Sequence, residues 1–282
     1  MAINYDQIMS LASLGVEVAY SDRDVMLYAL GVGFGRDPLN ARELRYVYEN
    51  DLQTLPTFAT VIGFGHSVLA RSGINWFKAV HGEQRLMLEK PLPPEGVVIC
   101  DERVVGAIDK RERGAIIVLE KVIREKSSGD KLCTMGATVF ARGDGGFGGP
   151  RDGAPVPHDL PERAPDLAVE CDTRPDQALL YALSGDRNPL HRDPDFARLA
   201  GFDRPILHGL CTYGTACRAV IAGVCDGDAR RIAGFDARFS APVFPGETIV
   251  TEMWVDGAVV SFRSKVKERN SLVLNNGKCT LR

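Results

Sequence analysis

The apolar residues of the chain recur with strand-like alternation in two series, one in each half. In the second half the alternating segments are RIAGFDARFSAPVF, ETIVTEMWVDG, AVVSFRSKVKE and LVLNNGKCTL. In the first half they are GEQRLMLEKPL, GVVICDERVVGAID, AIIVLEKVIRE and KLCTMGATVFAR. Residues 206 to 223 precede the second series and are apolar nearly all round, a pattern typical of a helix that is buried on every side.

The two series belong to two copies of one unit. The same order of parts recurs at an offset of about 150 residues, which indicates a duplicated domain. Each copy is expected to be an antiparallel sheet wrapped around a long central helix, so the predicted fold is α+β, a double hot dog. We expect the first repeat at residues 1–142, a linker rich in glycine and proline at residues 143–166, and the second repeat at residues 167–282.

Composition narrows the classes of function. The chain has 282 residues, of which 45% are hydrophobic, and a formal net charge of -3. This charge provides no global field for nucleic acid or for an anionic membrane. No apolar run approaches the roughly 20 residues of a membrane span. The seven cysteines are scattered, which predicts buried or free thiols in a reducing compartment. With no secretion signal and no peroxisomal tripeptide at its end, the chain is expected in the cytoplasm, or in a peroxisome if the source is eukaryotic.

The segment Tyr181-Ala-Leu-Ser-Gly-Asp186-Arg-Asn188-Pro-Leu-His191 carries the candidate chemistry. A short helix should end at its glycine, and the following turn brings the carboxylate of Asp186 and the imidazole of His191 toward one point. Two groups that titrate differently around one water are what the addition of water to a double bond requires. Gly209 follows at the predicted start of the buried helix, where its N–H is placed to stabilise an oxyanion.

This segment, followed by FARLAGFDRPILHGLCTYG, resembles the hydratase-2 motif of the MaoC-like, R-specific enoyl-CoA hydratases. The resemblance covers nearly the full chain and extends to the hydratase-2 domain of peroxisomal multifunctional enzymes type 2. It implies reversible addition of water to trans-2-enoyl-CoA in fatty-acyl metabolism, giving (3R)-3-hydroxyacyl-CoA. It implies no metal and no cofactor, because coenzyme A is part of the substrate. It also implies a homodimer.

The resemblance supplies a role for each residue of the site. Asp186 and His191 match the acid/base pair, Asn188 matches a residue that holds the water, and Gly209 matches the oxyanion donor. The positions where the family contacts acyl-CoA are His81, Gly82, Lys110, Arg187, Pro189, Leu190 and Phe239. The first repeat has YALGVGFGRDPL at the corresponding place and lacks the motif. We therefore expect one active site per chain, with the first repeat accommodating the acyl chain.

Several of these residues also have a simpler, purely structural interpretation. Asp186 and Asn188 are also common turn formers, and His208 is expected to be a packing residue at the helix start. A turn lysine such as Lys110 is commonly solvated. A metal site from Asp186, His191 and His208 lacks any HxH or HExxH spacing. Cys211, Cys217 and Met87 are expected in the core.

Two other functions are compatible with the predicted fold. A hot-dog thioesterase would release free thiol from acyl-CoA without changing the enoyl absorbance. A non-catalytic acyl-CoA-binding protein would bind the thioester tightly without turnover. The complete Asp-x-Asn-Pro-x-His motif favours the hydratase, whereas the physiological direction of the reaction stays open.

Overall fold

The structure is a computed structural model that describes residues 3–282 and, within them, every side chain except that of Phe77. The α-helices are α1 (Tyr5–Met9), α2 (Asp22–Gly31), α3 (Ala41–Leu44), α4 (Gln177–Tyr181), α5 (Pro194–Leu199) and α6 (Gly209–Gly223). The strands of the first half are β1 (Ala12–Tyr20), β2 (Ala79–Leu88), β3 (Gly96–Asp109), β4 (Ala115–Glu125) and β5 (Lys131–Ala141). Those of the second half are β6 (Leu167–Asp172), β7 (Ile232–Phe239), β8 (Thr248–Asp256), β9 (Val259–Val266) and β10 (Ser271–Leu281).

The strands form one antiparallel sheet in the order β1-β3-β4-β5-β2-β7-β10-β9-β8-β6. The second half of this order repeats the first half in reverse, as two copies of one unit placed side by side require. Strands β2 and β7 join the copies, with Glu83 opposite Arg238 and Met87 opposite Gly234. The double hot dog predicted from the sequence is confirmed.

Helix α6 lies against the second half of the sheet and is buried along most of its length. Its Tyr213 ring packs edge-on against Phe235, with ring centroids 5.0 Å apart, and Phe235 stacks on Phe262 at 4.7 Å. A Cβ on Gly214 would lie 2.5 Å from Val32, so the missing side chain lets α6 approach the end of α2. Burial of these apolar surfaces is the main stabilising contribution to this half.

The first repeat differs from the prediction because it has no long central helix in the described residues 45–78. A 3-10 helix, Pro56–Val61, occupies the corresponding place. Gly63 and Gly65 follow with φ of 69° and 94°, a conformation that a right-handed helix does not continue. The expectation of one long helix per repeat is therefore wrong for the first repeat. Helix α6 itself begins at Gly209 rather than residue 206, because His208 is extended, with ψ of 135°.

Met87 is a second correction, since its side chain is 63% exposed. It lies between Leu86 and Leu88, both buried, on strand β2. Successive side chains of a strand point to opposite faces, so Met87 faces away from the core. Cys211 and Cys217 are buried as predicted.

The segment between the repeats has neither helix nor strand from residue 142 to residue 166. It packs against the first half at Asp109, whose carboxylate accepts hydrogen bonds from the N–H groups of Gly146 (2.8 Å) and Gly148 (2.9 Å). The boundaries given to the repeats and the linker stay predictions. Among the helices within residues 3–282, none has the length and apolar character needed to cross a membrane.

Candidate active site

The loop that carries the candidate acid and base begins where α4 ends. A 3-10 turn, Ala182–Ser184, follows α4 and leads to Gly185, whose φ is 125°. Only glycine adopts this backbone conformation without strain. A Cβ on Gly185 would also lie 3.2 Å from the Cβ of Phe64. The glycine thus sets the direction in which the loop leaves the helix.

Asp186 and Asn188 shape the turn with one oxygen each. The Asn188 N–H donates to Asp186 Oδ1 (3.1 Å), and the Leu190 N–H donates to Asn188 Oδ1 (3.0 Å). The turn-forming interpretation is therefore correct for these atoms. The other carboxylate oxygen of Asp186 and the amide nitrogen of Asn188 have no hydrogen-bond partner within residues 3–282. These two atoms are available to a water molecule.

His191 ends the 3-10 turn Pro189–His191, and one of its nitrogens is already occupied. Its Nδ1 lies 2.8 Å from the carbonyl oxygen of Ile206. A carbonyl only accepts, so Nδ1 carries the proton and Nε2 offers a lone pair in the neutral ring. Burial lowers the pKa of His191, although the bond to Ile206 and the nearby Asp186 act in the opposite direction. The ring is thus held in the state that accepts a proton.

Asp186, His191 and His208 converge on one place. One side-chain N or O atom from each lies within 4.8 Å of the others. A gap of this length suits a bridging water, since a water hydrogen bond spans about 2.8 Å on each side. The pair that the sequence predicts is thus brought together at a separation that one water molecule can bridge.

Gly209, Phe239 and His81 form the neighbouring part of the site. Gly209 is the first residue of α6, so its N–H has no acceptor within the helix. A Cβ there would lie 3.3 Å from the Phe239 ring, which ends β7. The ring of His81 on β2 also packs against the Phe239 ring, with centroids 4.7 Å apart. Residues from both repeats therefore meet beside the N-terminus of α6.

His81 and Gly82 lie at an irregular point of β2. The register with β5 shifts between His81 and Glu83, as in a β-bulge. The Nε2–H of His81 donates to the Glu83 carbonyl (3.0 Å), so Nδ1 is the acceptor of this ring. Burial lowers the pKa of His81 to about 4, so the ring is neutral at physiological pH.

The remaining predicted contact residues lie farther toward the surface. Arg187 and Pro189 are exposed and Leu190 is half-buried, all on the loop itself. Lys110 follows β3, and its Nζ donates to the carbonyl of Arg151 (2.6 Å). That bond ties it to the segment between the repeats. Its role with the phosphates of coenzyme A stays a prediction.

Two residues that the sequence interpretation did not place in the site contact its loop. Phe64 belongs to the first repeat, is 38% exposed, and lies against Gly185. His208 is buried and contacts both Asp186 and His191. Phe64 carries no signal in the sequence, because it approaches the loop from the other repeat. His208 could be identified from the sequence, because it directly precedes Gly209 at the start of a predicted helix.

The geometry does not favour a metal ion at Asp186, His191 and His208. The two imidazole rings are 3.8 Å apart at 30°. Nitrogen lone pairs lie in the plane of the ring, so those of two rings packed face against face at this angle do not converge on one ion. The Nε2 of His208 is also taken by the Asp186 carbonyl.

Comparisons with known proteins find matches for both halves of the chain. Residues 157–276 match the family model of the MaoC like domain, and residues 18–143 match that of the MFE-2 hydratase 2 N-terminal domain. The chain is 42% identical to the peroxisomal enoyl-CoA hydratase 2 of Arabidopsis thaliana, over 96% of this chain and 93% of that one. It is 40% identical to an enoyl-CoA hydratase of Mycobacterium tuberculosis, over 98% of both chains.

A solved structure shows the same fold. The crystal structure of a MaoC-like dehydratase from Phytophthora capsici has a TM-score of 0.89 and 31% sequence identity, covering 99% of this chain and 98% of that one. The similarity therefore includes both repeats and the segment that joins them.

Proposed function

This chain belongs to the hydratase 2 family of MaoC-like proteins, and we propose on that premise that it is an R-specific 2-enoyl-CoA hydratase. It adds water reversibly to trans-2-enoyl-CoA and gives (3R)-3-hydroxyacyl-CoA. The observation that carries the proposal is the convergence of Asp186 and His191 within 4.8 Å, beside the N-terminus of α6. The reaction is a hydro-lyase reaction with no net transfer of electrons. The partner of the site is thus an acyl-CoA thioester.

The first step is activation of the water. The water lies between the free oxygen of Asp186 and Nε2 of His191, with the amide of Asn188 as a further donor. Because the Ile206 carbonyl holds the proton on Nδ1, Nε2 takes the proton from the water. The oxygen then bonds to C3 of the enoyl group as an O–H bond of the water breaks.

Charge develops on the thioester oxygen as this bond forms. The N–H of Gly209 lies at the positive end of α6 and has no intrahelical acceptor. The absence of a side chain lets an oxygen approach that N–H closely. Donation to the enolate oxygen stabilises the transition state more than the ground state, which is what lowers the barrier.

The last step is protonation of C2. The proton taken from the water resides on the Asp186/His191 pair, and the pair delivers it to C2. Atoms and charges balance, since one O–H bond of the water and the C2–C3 π bond break while a C3–O bond and a C2–H bond form. Both groups lie on the same loop, so both new bonds form on one face of the double bond. The proposal therefore predicts syn addition.

The first repeat contributes to the acyl side of the site. Phe64 lies against Gly185, next to the acid, and a third of its surface is exposed. An exposed aromatic side chain against the loop that carries Asp186 suits contact with an alkyl chain. We assign the first repeat to acyl-chain accommodation on this ground. A homodimer of the chain and a cytoplasmic location stay predictions.

Hydration of crotonyl-CoA and trans-2-decenoyl-CoA by the purified chain tests the proposal. The expected results are loss of the conjugated-enoyl absorbance and an R product in chiral analysis. Release of free thiol without loss of the enoyl group would instead identify a thioesterase. Tight binding of both thioesters without any turnover would identify a non-catalytic binding protein. An S product would contradict the assigned stereochemistry.

A run in D2O tests the path of the proton. The account predicts deuterium at C2 on the same face as the new hydroxyl group. An anti product would show that a group outside the Asp186/His191 pair protonates C2.

A further inference from the structure

His208 is the residue at the entry to α6, directly before Gly209. Its side chain is buried, with 1% of its surface exposed. The chemistry described above does not use this imidazole. A buried histidine inside an acid/base site that takes no part in the chemistry needs another reason to be there.

The contacts of His208 give that reason. Its Nε2 lies 3.1 Å from the backbone oxygen of Asp186. Its ring lies against the His191 ring, with centroids 3.8 Å apart and planes at 30°. On another side it meets the Tyr181 ring at 4.9 Å. One side chain thus touches both members of the acid/base pair and the helix that precedes their loop.

The bonding pattern fixes the protonation state of His208. The Asp186 carbonyl only accepts, so Nε2 carries the proton. Nδ1 is buried and has no partner within residues 3–282, so a second proton there would find no acceptor. Burial is the largest cause that lowers the pKa of His208 to about 3, and His191 and Arg192 add to it.

The charged and titratable groups that face His208 do not alter this conclusion. Asp186, His191 and Arg192 lie on the loop side, and the backbone bond to Asp186 opposes the lowering of the pKa only in part. Tyr181 faces the ring from α4, and burial keeps the pKa of its hydroxyl well above 10.0. His208 is therefore neutral in the pH range of activity and transfers no proton.

We propose that His208 is a positioning residue that holds Asp186 and His191 in register for the water between them. Its N–H fixes the backbone at the acid, and its ring fixes the plane of the base. It also joins this loop to α6, so the loop and the oxyanion donor Gly209 keep a constant separation. The inference rests on the proposed hydratase function.

Three substitutions separate these contacts. His208→Gln keeps an N–H near the position of Nε2 but removes the ring. His208→Phe keeps a ring against His191 but removes the donor. His208→Ala removes both. His158→Gln is the matched control, because His158 is also a partly buried histidine with a side-chain hydrogen bond, to Ser261 of β9.

The expected result is a loss of kcat with little change of KM, since His208 does not touch the substrate. For His208→Ala we expect a drop in kcat of about 10²-fold, the effect of a misplacement of roughly 1 Å. His208→Gln and His208→Phe should each retain more of kcat than His208→Ala. His158→Gln should behave as the unsubstituted protein.

The pH profile adds a readout that a merely structural role would not move. Removing the ring hydrates His191, so the acid limb of kcat/KM should move upward, toward about 6.5. Folded His208→Ala with kcat within roughly twofold of the unsubstituted protein would overturn the proposal. Equal losses of kcat in His208→Ala and His208→Gln, with no shift of the acid limb of kcat/KM, would also overturn it. If His208→Ala does not fold, unchanged kcat in both other variants overturns it.

Titration of the His191 imidazole by NMR separates this proposal from the proposed function. An unsubstituted protein that turns over no enoyl-CoA contradicts the hydratase function. If His208 shields the His191 ring from water, the midpoint of the His191 titration must still be higher in His208→Gln than in the unsubstituted protein. A midpoint that is the same in both proteins would contradict the positioning role, whatever the activity.

Discussion

The Nδ1–H of His191 donates a 2.8 Å hydrogen bond to the carbonyl of Ile206, which lies three residues before α6. This bond decides which nitrogen of the ring carries the proton. Because the carbonyl cannot donate, Nε2 is the acceptor in the neutral ring. The backbone that leads into α6 thus selects the tautomer that the proposed mechanism uses.

The first prediction concerns pH. The base must be neutral, and burial lowers its pKa, so activity is present above that pKa and is lost as the pH falls through it. The acid limb of kcat/KM for crotonyl-CoA should therefore lie below the ordinary histidine value of about 6.5.

The control for this profile is the stability of the protein over the same pH range, followed by circular dichroism. An acid limb above the ordinary histidine value, with the fold intact, would contradict the buried neutral base.

The second prediction concerns the oxyanion position. In Gly209→Ala the new Cβ lies 3.3 Å from the Phe239 ring and also occupies space needed by the thioester oxygen. Loss of one oxyanion donor reduces kcat by about 10²- to 10³-fold, and we expect a loss approaching that range.

Gly209→Ala combined with Phe239→Leu separates the two effects. If crowding of the ring were the cause, the smaller leucine would restore kcat. The account predicts that the double variant stays slow, and recovery to the unsubstituted rate would contradict the role given to the Gly209 N–H.

The third prediction concerns the acyl chain. Phe64→Ala removes apolar surface beside the catalytic loop. The binding free energy lost is roughly 25 cal/mol for each Å² of apolar surface that the acyl chain no longer buries. KM should rise more for trans-2-decenoyl-CoA than for crotonyl-CoA, measured from initial rates with both substrates. Leu14→Ala serves as the control, since Leu14 is also an exposed apolar residue but lies on edge strand β1. An equal change of KM for both substrates would contradict the contact.

The sequence predicts many of the strands and the long helix, because apolar and polar residues alternate regularly wherever one face of an element is buried. The alternation in β7 to β10 and the apolar run ending at Gly223 correspond to observed elements. The Asp-x-Asn-Pro-x-His spacing likewise places Asp186 and His191 in one turn, which is local information.

The pattern of apolar and polar residues does not predict contacts between segments that are distant in the sequence. Phe64 meets Gly185 only because the repeats pack together, and His208 contacts Asp186 only after α6 has docked. The missing helix of the first repeat depends on the backbone at Gly63 and Gly65, where apolar pattern alone does not show the positive φ. The prediction that Met87 lies in the core is wrong, because the hydrophobicity of one residue does not show which face of a strand it occupies.

We propose that Asp186 and His191 together handle the reacting water, and the hydration rates of their variants measure this role. Crotonyl-CoA hydration is followed for Asp186→Asn and His191→Ala, with Asp203→Asn as the control, because Asp203 is an exposed aspartate in the segment between α5 and α6. We expect kcat to fall by about 10²- to 10⁴-fold in the first two variants and to be unchanged in the third, with all three folded. Hydration at the unsubstituted rate by either Asp186→Asn or His191→Ala would contradict it.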